Sequence, residues 1–168
     1  MEQTKELLKK IYAITEELRG KSDCIIRWLD CIGDSDIVID WPAGDFRLYG
    51  KSMLASRQNG YISEKWNNSW LVIADSNADP FIYDKREGKI FFSRHGEGKW
   101  HVTQITENFS QLAEVLYLYA KIFYCDFSGD ILDSECEVKI DFVDKIKESI
   151  FSILNKQNAN NFIDALIG

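Results

Sequence analysis

The chain has 168 residues, 45% apolar and 13% aromatic, enough to build one hydrophobic core and too apolar for a disordered segment. Its formal charge of −7 is concentrated between residues 125 and 144, where Asp126, Asp130, Asp133, Glu135, Glu137, Asp141 and Asp144 face a single base, Lys139. The rest of the chain is close to neutral, which argues against binding nucleic acid or anionic lipid, both of which need a basic face, and favours a basic protein partner.

In chain order, Leu7, Leu8, Ile11, Ile14 and Leu18 recur at helical spacing and predict a helix over 4–19, stopped at Gly20. Residues 23–33 fit a short helix better than a strand. Residues 36–41 read as a strand, Pro42-Ala43-Gly44-Asp45 as a turn and Phe46-Arg47-Leu48-Tyr49 as a second strand. A short helix from Ser52, as its cap, to Asn59 would turn Met53 and Leu54 inward. Residues 70–75 are continuously apolar up to Asp75, the pattern of a strand buried on both faces. Strands at 79–84, 89–92 and 100–105 follow, separated by short turns, so the run is an antiparallel meander. Asn108, with Gln111 three residues on, predicts a capped helix whose apolar face continues to Phe123. Further helices are predicted over 141–155 and 158–167. The expected fold is α+β: one domain over 1–168, with a mostly antiparallel central sheet and helices around it, and a helical C-terminal part over 125–168.

No apolar run approaches the roughly 18 residues that span a bilayer, and the N-terminus has no apolar leader, so the expected location is cytoplasmic. Cys24, Cys31, Cys125 and Cys136 show no CxxC spacing and read as free thiols, so neither metal nor cofactor is expected. His95 and His101 lack the HExxH spacing, and there is no nucleophile elbow, phosphate loop or dinucleotide fingerprint. Asp75, Asp79 and Asp84 sit at strand ends, where aspartate caps turns, rather than in an evident acid–base pair. The expectation is a chain that is not an enzyme.

Residues 70–112 carry a further pattern. Trp70-Leu71-Val72-Ile73-Ala74-Asp75 leads through Ser76-Asn77-Ala78 to Asp79-Pro80-Phe81-Ile82-Tyr83-Asp84. Gly88-Lys89-Ile90-Phe91-Phe92, the turn before Trp100 and Ile105-Thr106-Glu107-Asn108-Phe109-Ser110-Gln111-Leu112 complete it. This order resembles the SUKH superfamily, named for yeast Smi/Knr regulators and bacterial immunity proteins; the likeness is clearest over 45–118. Where that family has a glycine-rich loop this chain has Ser76-Asn77-Ala78, and the acidic stretch after 125 has no counterpart in the family pattern. The resemblance implies an α+β fold and an antitoxin role, in which the protein neutralises a cognate polymorphic toxin, often a nuclease, by binding it. A monomer or weak homodimer is expected. A housekeeping adaptor or regulator, or a small-ligand binder of the same fold, is the alternative.

The candidate partner-binding residues are Trp41 and Trp66, tryptophans at a strand end and in a polar loop; Asp45, Asp75, Asn77 and Asp79 at strand ends and turns; and Asp130, Asp133 and Glu135 in the acidic stretch.

Overall fold

The computed structural model describes residues 2–42, 44–63 and 65–167. Ala43 of the predicted turn and Glu64 of the polar loop before Trp66 lie outside the described residues. The architecture is α+β. Helices α1 (Glu2–Leu18) and α2 (Ile25–Ile32) precede strands β1 (Ile37–Trp41) and β2 (Gly44–Leu48). Helix α3 (Lys51–Gln58) leads to β3 (Trp70–Ser76), β4 (Asp79–Asp84), β5 (Lys89–Phe92) and β6 (Thr103–Thr106). Helix α4 (Phe109–Lys121) runs into a π-helical turn (Ile122–Asp126), and α5 (Ile140–Ile150) and α6 (Lys156–Ile167) close the chain. The six strands lie in sequence order, every neighbouring pair antiparallel.

Side-chain alternation assigns the two faces of the sheet. Ile37, Ile39, Phe46, Leu48, Phe81 and Ile90 point into the main core, where α1, α2, α4, α5 and α6 cover them. Val72 and Ile82 point the other way, into a second cluster with Tyr49 and Tyr61, covered by Leu54 of α3 and by Trp66, Trp70 and Trp100. The continuous apolar run of β3 is therefore buried on both sides, as its composition predicts: Val72, Ile73 and Ala74 are all at 0% exposure. A bulge between Val72 and Ala74 interrupts its pairing with β4.

Each sheet edge is capped at one residue by side chains. At β1, the Tyr119 hydroxyl donates to the Asp40 carbonyl at 2.8 Å, and the Tyr124 hydroxyl accepts from the Asp40 N–H at 3.0 Å. At β6, the Asn161 amide of α6 donates to the Gln104 carbonyl at 2.7 Å. These contacts satisfy backbone groups that would otherwise invite a foreign strand.

Several boundaries differ from the sequence expectation for local reasons. Strand β6 begins at Thr103 rather than at residue 100, because Trp100 and Val102 turn onto the second cluster after the glycine-rich loop. Helix α5 stops at Ile150 and the chain turns before α6. Helix α3 has Gly50 rather than Ser52 at its cap; the Ser52 hydroxyl donates instead to the Asp34 carbonyl at 2.6 Å. The predicted cap of α4 forms, with the Asn108 side chain accepting from Gln111 N at 2.9 Å, while Gln111 reaches back to Glu107 N at 2.9 Å. Met53, expected to face inward, is 40% exposed.

The β3–β4 connection is a two-residue hairpin turn with positive φ at both Asn77 (+50°) and Ala78 (+69°). Asparagine tolerates this backbone; alanine is strained in it by about 1–2 kcal/mol. Ala78→Gly is expected to raise stability by about 0.5–1 kcal/mol, after the extra entropy of a free glycine is subtracted, a melting shift of ~1–4 °C by calorimetry.

Candidate protein-interaction surface

In a meander, alternate turns fall at the same end of the sheet. The β1–β2 turn, the β3–β4 turn and the β5–β6 loop therefore share one rim. The register sets Phe46 against Ser76, and Ser76 against Asp79, so Asp45 and Asn77 project side by side from adjacent turns. Gly44 makes this approach possible: its φ is +138°, and a Cβ there would lie 3.1 Å from the Asn77 side-chain oxygen. Gly44, Asp45, Arg47, Asp75, Asn77 and Ala78 line a shallow, mostly polar cleft at this rim.

Asp75 forms the floor of the cleft. Its carboxylate accepts from the Tyr61 hydroxyl at 3.4 Å, and that hydroxyl lies 3.3 Å from the Tyr49 hydroxyl. Burial pushes the Asp75 carboxyl above its ordinary value, and the Tyr49 and Tyr61 hydroxyls with the Arg57 and Arg47 charges only partly offset it. Burial likewise pushes Tyr61 up to about 12. The two arginines are committed elsewhere: Asp36 binds Arg57 at 3.1 Å and Arg47 at 3.9 Å, and Arg47 lies 3.7 Å from Asp45. Asp75 is thus a half-buried carboxylate with no ion pair of its own among the described residues.

A raised carboxyl value means that the fold is favoured while the group is protonated, so this contribution is present below the ordinary value of 3.8 and lost as pH rises through the folded value. Asp75→Asn, which fixes the neutral state, is expected to melt higher than the parent at neutral pH and to match it in strong acid. Thermal melts across pH check this; an advantage that grew toward acid would reverse the sign and contradict the account.

Asp79 stands at the same rim but faces the β5–β6 loop. Its Oδ1 accepts from His95 N at 2.8 Å and lies 2.6 Å from His95 Nδ1, while Arg94 is 4.0 Å away. This aspartate holds the β5–β6 loop, sixteen residues on, rather than the turn at its own strand end. Its carboxylate remains only partly accessible.

The acidic stretch meets the sheet at the β1 edge. Tyr124 donates to the Asp40 carboxylate at 2.9 Å, and Asp45 contributes to the negative charge around it. Burial and these contacts leave the Tyr124 hydroxyl pushed up to about 12. Beyond it the chain forms a small hairpin, bridged between Leu132 and Val138. The Asp133 carboxylate accepts from Glu135 N at 2.8 Å and Glu137 N at 3.0 Å, which shapes the turn. Asp130 pairs with Lys139 at 2.9 Å, and Asp126 with Lys145 at 2.8 Å. Glu135, Glu137, Asp141 and Asp144 have no cationic partner among the described residues and are exposed.

The structure thus brings together Asp45, Asp75, Asn77 and Asp79 at one rim, and places Asp130, Asp133 and Glu135 on the exposed hairpin that follows the neighbouring edge. Both tryptophans of the expected surface set pack on other aromatic rings, one wholly and one in part. Trp41 is a core residue at 4% exposure, its ring 4.5 Å from Tyr119 and 4.8 Å from Phe46 between centroids. It cannot touch a partner without unfolding β1. Trp66 is half-buried and packs edge-to-face on Trp70 at 5.2 Å and Trp100 at 5.5 Å. It belongs to the outer face, its ring 6.3 Å from that of Tyr61, whose hydroxyl reaches Asp75.

Sequence reading missed Arg47, which lines the cleft, Tyr61, which donates to Asp75, and Asp36 and Arg57, which pair behind it. Their contacts join β1, β2, β3 and α3 with no local spacing to signal them. Among the described residues no three His, Cys, Asp or Glu side chains converge as metal ligands, and no helix is long and apolar enough to cross a membrane. No family model matches the chain, and no curated protein or solved structure matches it significantly.

Proposed function

We propose that this protein is a non-catalytic binding module, an immunity protein that neutralises a basic toxin, nucleases being the leading class, by occupying it. One observation carries the reading: exposed acids without a cationic partner among the described residues concentrate in the stretch beyond the β1 edge, at Glu135, Glu137, Asp141 and Asp144, while Asp75, which has no ion pair, and Asp45, which shares Arg47 with Asp36, line the rim cleft. Such a surface complements the basic groove with which a nuclease holds phosphates. The order of motifs over 45–118, which resembles the SUKH superfamily, supports the same role.

In this mechanism the acids steer a basic surface into encounter, raising the association rate well above the ~10⁵–10⁶ M⁻¹s⁻¹ of uncharged pairs. The rigid meander holds the rim turns in place, so little ordering entropy opposes docking. Side chains of the partner's lysines and arginines then pair with Asp45 and Asp75 in the cleft. Burying a cation beside Asp75 would return its carboxyl toward the ordinary range, so complex formation recovers the stability that its desolvation costs alone.

Co-expression tests this. The product of the adjacent gene, expressed alone, is expected to arrest growth, and this chain is expected to restore growth and co-purify with it at equal stoichiometry. A neighbour that is harmless and does not bind would overturn the reading.

A further inference from the structure

Two exposed surfaces of this chain complement each other. On the outer face, Tyr61, Trp66, Trp70 and Trp100 form a continuous aromatic cluster, with Trp66 and Trp100 part-exposed and Ile62 beside them at 60% exposure. The rings touch one another, so the cluster presents a surface rather than a cage. Its rim is basic on balance: Lys65 reaches the Gly98 carbonyl at 3.4 Å, and Lys99 and Arg94 line the groove beside Trp100 with one acid, Glu97. Lys65 and Lys99 have no carboxylate partner among the described residues. On the hairpin the signs invert: Leu132 at 41% and Ile140 at 78% exposure stand among Glu135, Glu137, Asp141 and Asp144.

The two surfaces cannot meet within one molecule. The hairpin is anchored on the helix-covered side, with Ile131 buried and Val138 packed in the main core, whereas the aromatic cluster lies on the opposite sheet face. The hairpin follows the β1 edge and Trp100 precedes β6, and six strands separate those edges by about 24 Å. We propose that the occupant of the aromatic patch is the acidic hairpin of a second copy of this chain. Leu132 and Ile140 of one copy cover Ile62, Trp66 and Trp100 of the other, while Glu135 and Glu137 pair with Lys65 and Lys99. The net charge of −7 on each copy opposes association weakly, because salt screens charges beyond a Debye length of about 8 Å while the facing patches lie within it. The hairpin acids are shared with the toxin-binding reading, so a toxin and a second copy compete for them, but the inference does not rest on that reading.

Sedimentation of the full chain from about 10 µM to 1 mM tests it, a range that spans weak association. The weight-average mass is expected to rise with concentration and to fall when salt is added. Lys65→Glu with Lys99→Glu, and Glu135→Lys with Glu137→Lys, each change only exposed charges and are expected to leave the melting temperature unchanged. Each pair is expected to weaken self-association at least about tenfold, and mixing the two variants is expected to restore it, since reversed patches then match. A parent chain that stays monomeric throughout the range overturns the proposal. So does association that ignores either reversal, or variants that fail to recombine.

Discussion

Gly50→Ala is expected to cost about 3 kcal/mol or more and to lower the melting temperature by roughly 6–12 °C. Gly50 has ordinary backbone angles, so the penalty is not one of conformation. A Cβ at this position would sit 2.4 Å from the Asp34 carbonyl oxygen and 2.5 Å from the Ser35 carbonyl carbon. Both obstacles are backbone, so no rotamer change relieves the clash. The surrounding contacts resist a shift: Gly50 N donates to Asp36 Oδ1 at 2.9 Å, and Lys51 N donates to the Gly33 carbonyl at 2.9 Å. Moving Gly50 would therefore disturb Asp36 and, through it, Arg57 and Arg47, the second of which lines the cleft. Chemical denaturation of the variant beside the parent measures the loss; a change under about 0.5 kcal/mol, the scale of a neutral surface substitution, would contradict this packing.

Trp41→Ala is expected to cost about 3–5 kcal/mol, the range for removing a buried large aromatic. Its ring contacts Phe46, Phe81, Tyr119 and Phe162, which belong to β2, β4, α4 and α6, so the cavity would open where the sheet meets two helices. The variant separates a core role from an interface role. Below its lowered melting temperature, where the population stays folded, a core residue leaves partner affinity close to that of the parent. An unaltered melting curve with affinity lost would return Trp41 to the surface.

Much of the architecture was legible because periodicity reports directly on which side of an element is dry. The helical spacing of α1, α4 and α5 and the alternation in β1 and β5 match burial in the structure, whereas β4 is buried on both faces. The same signal held the answer for Trp41. It shares parity with Ile37 and Ile39, so the alternation that buries them buries it, and the neighbouring proline turn was a misleading cue. Trp66 carried no such signal: the loop around it is polar, and only its meeting with Trp100, distant in sequence, covers the ring. The acids were legible as composition, but their division into paired and unpaired groups was not. Asp36 reads as an ordinary strand-start residue, yet it gathers Gly50, Arg47 and Arg57 from three other segments. Such assemblies are written in tertiary contacts rather than in local spacing.

The account stands on negative surface charge capturing a basic protein. The most direct measurement is the association rate of this chain with the product of the adjacent gene, by stopped-flow fluorescence at several salt concentrations, for the parent and for Asp45→Lys with Glu135→Lys. The account predicts a parent rate that falls steeply as salt rises, and a variant at least about tenfold slower at low salt with a much flatter salt dependence. A rate indifferent to both salt and charge reversal would contradict it.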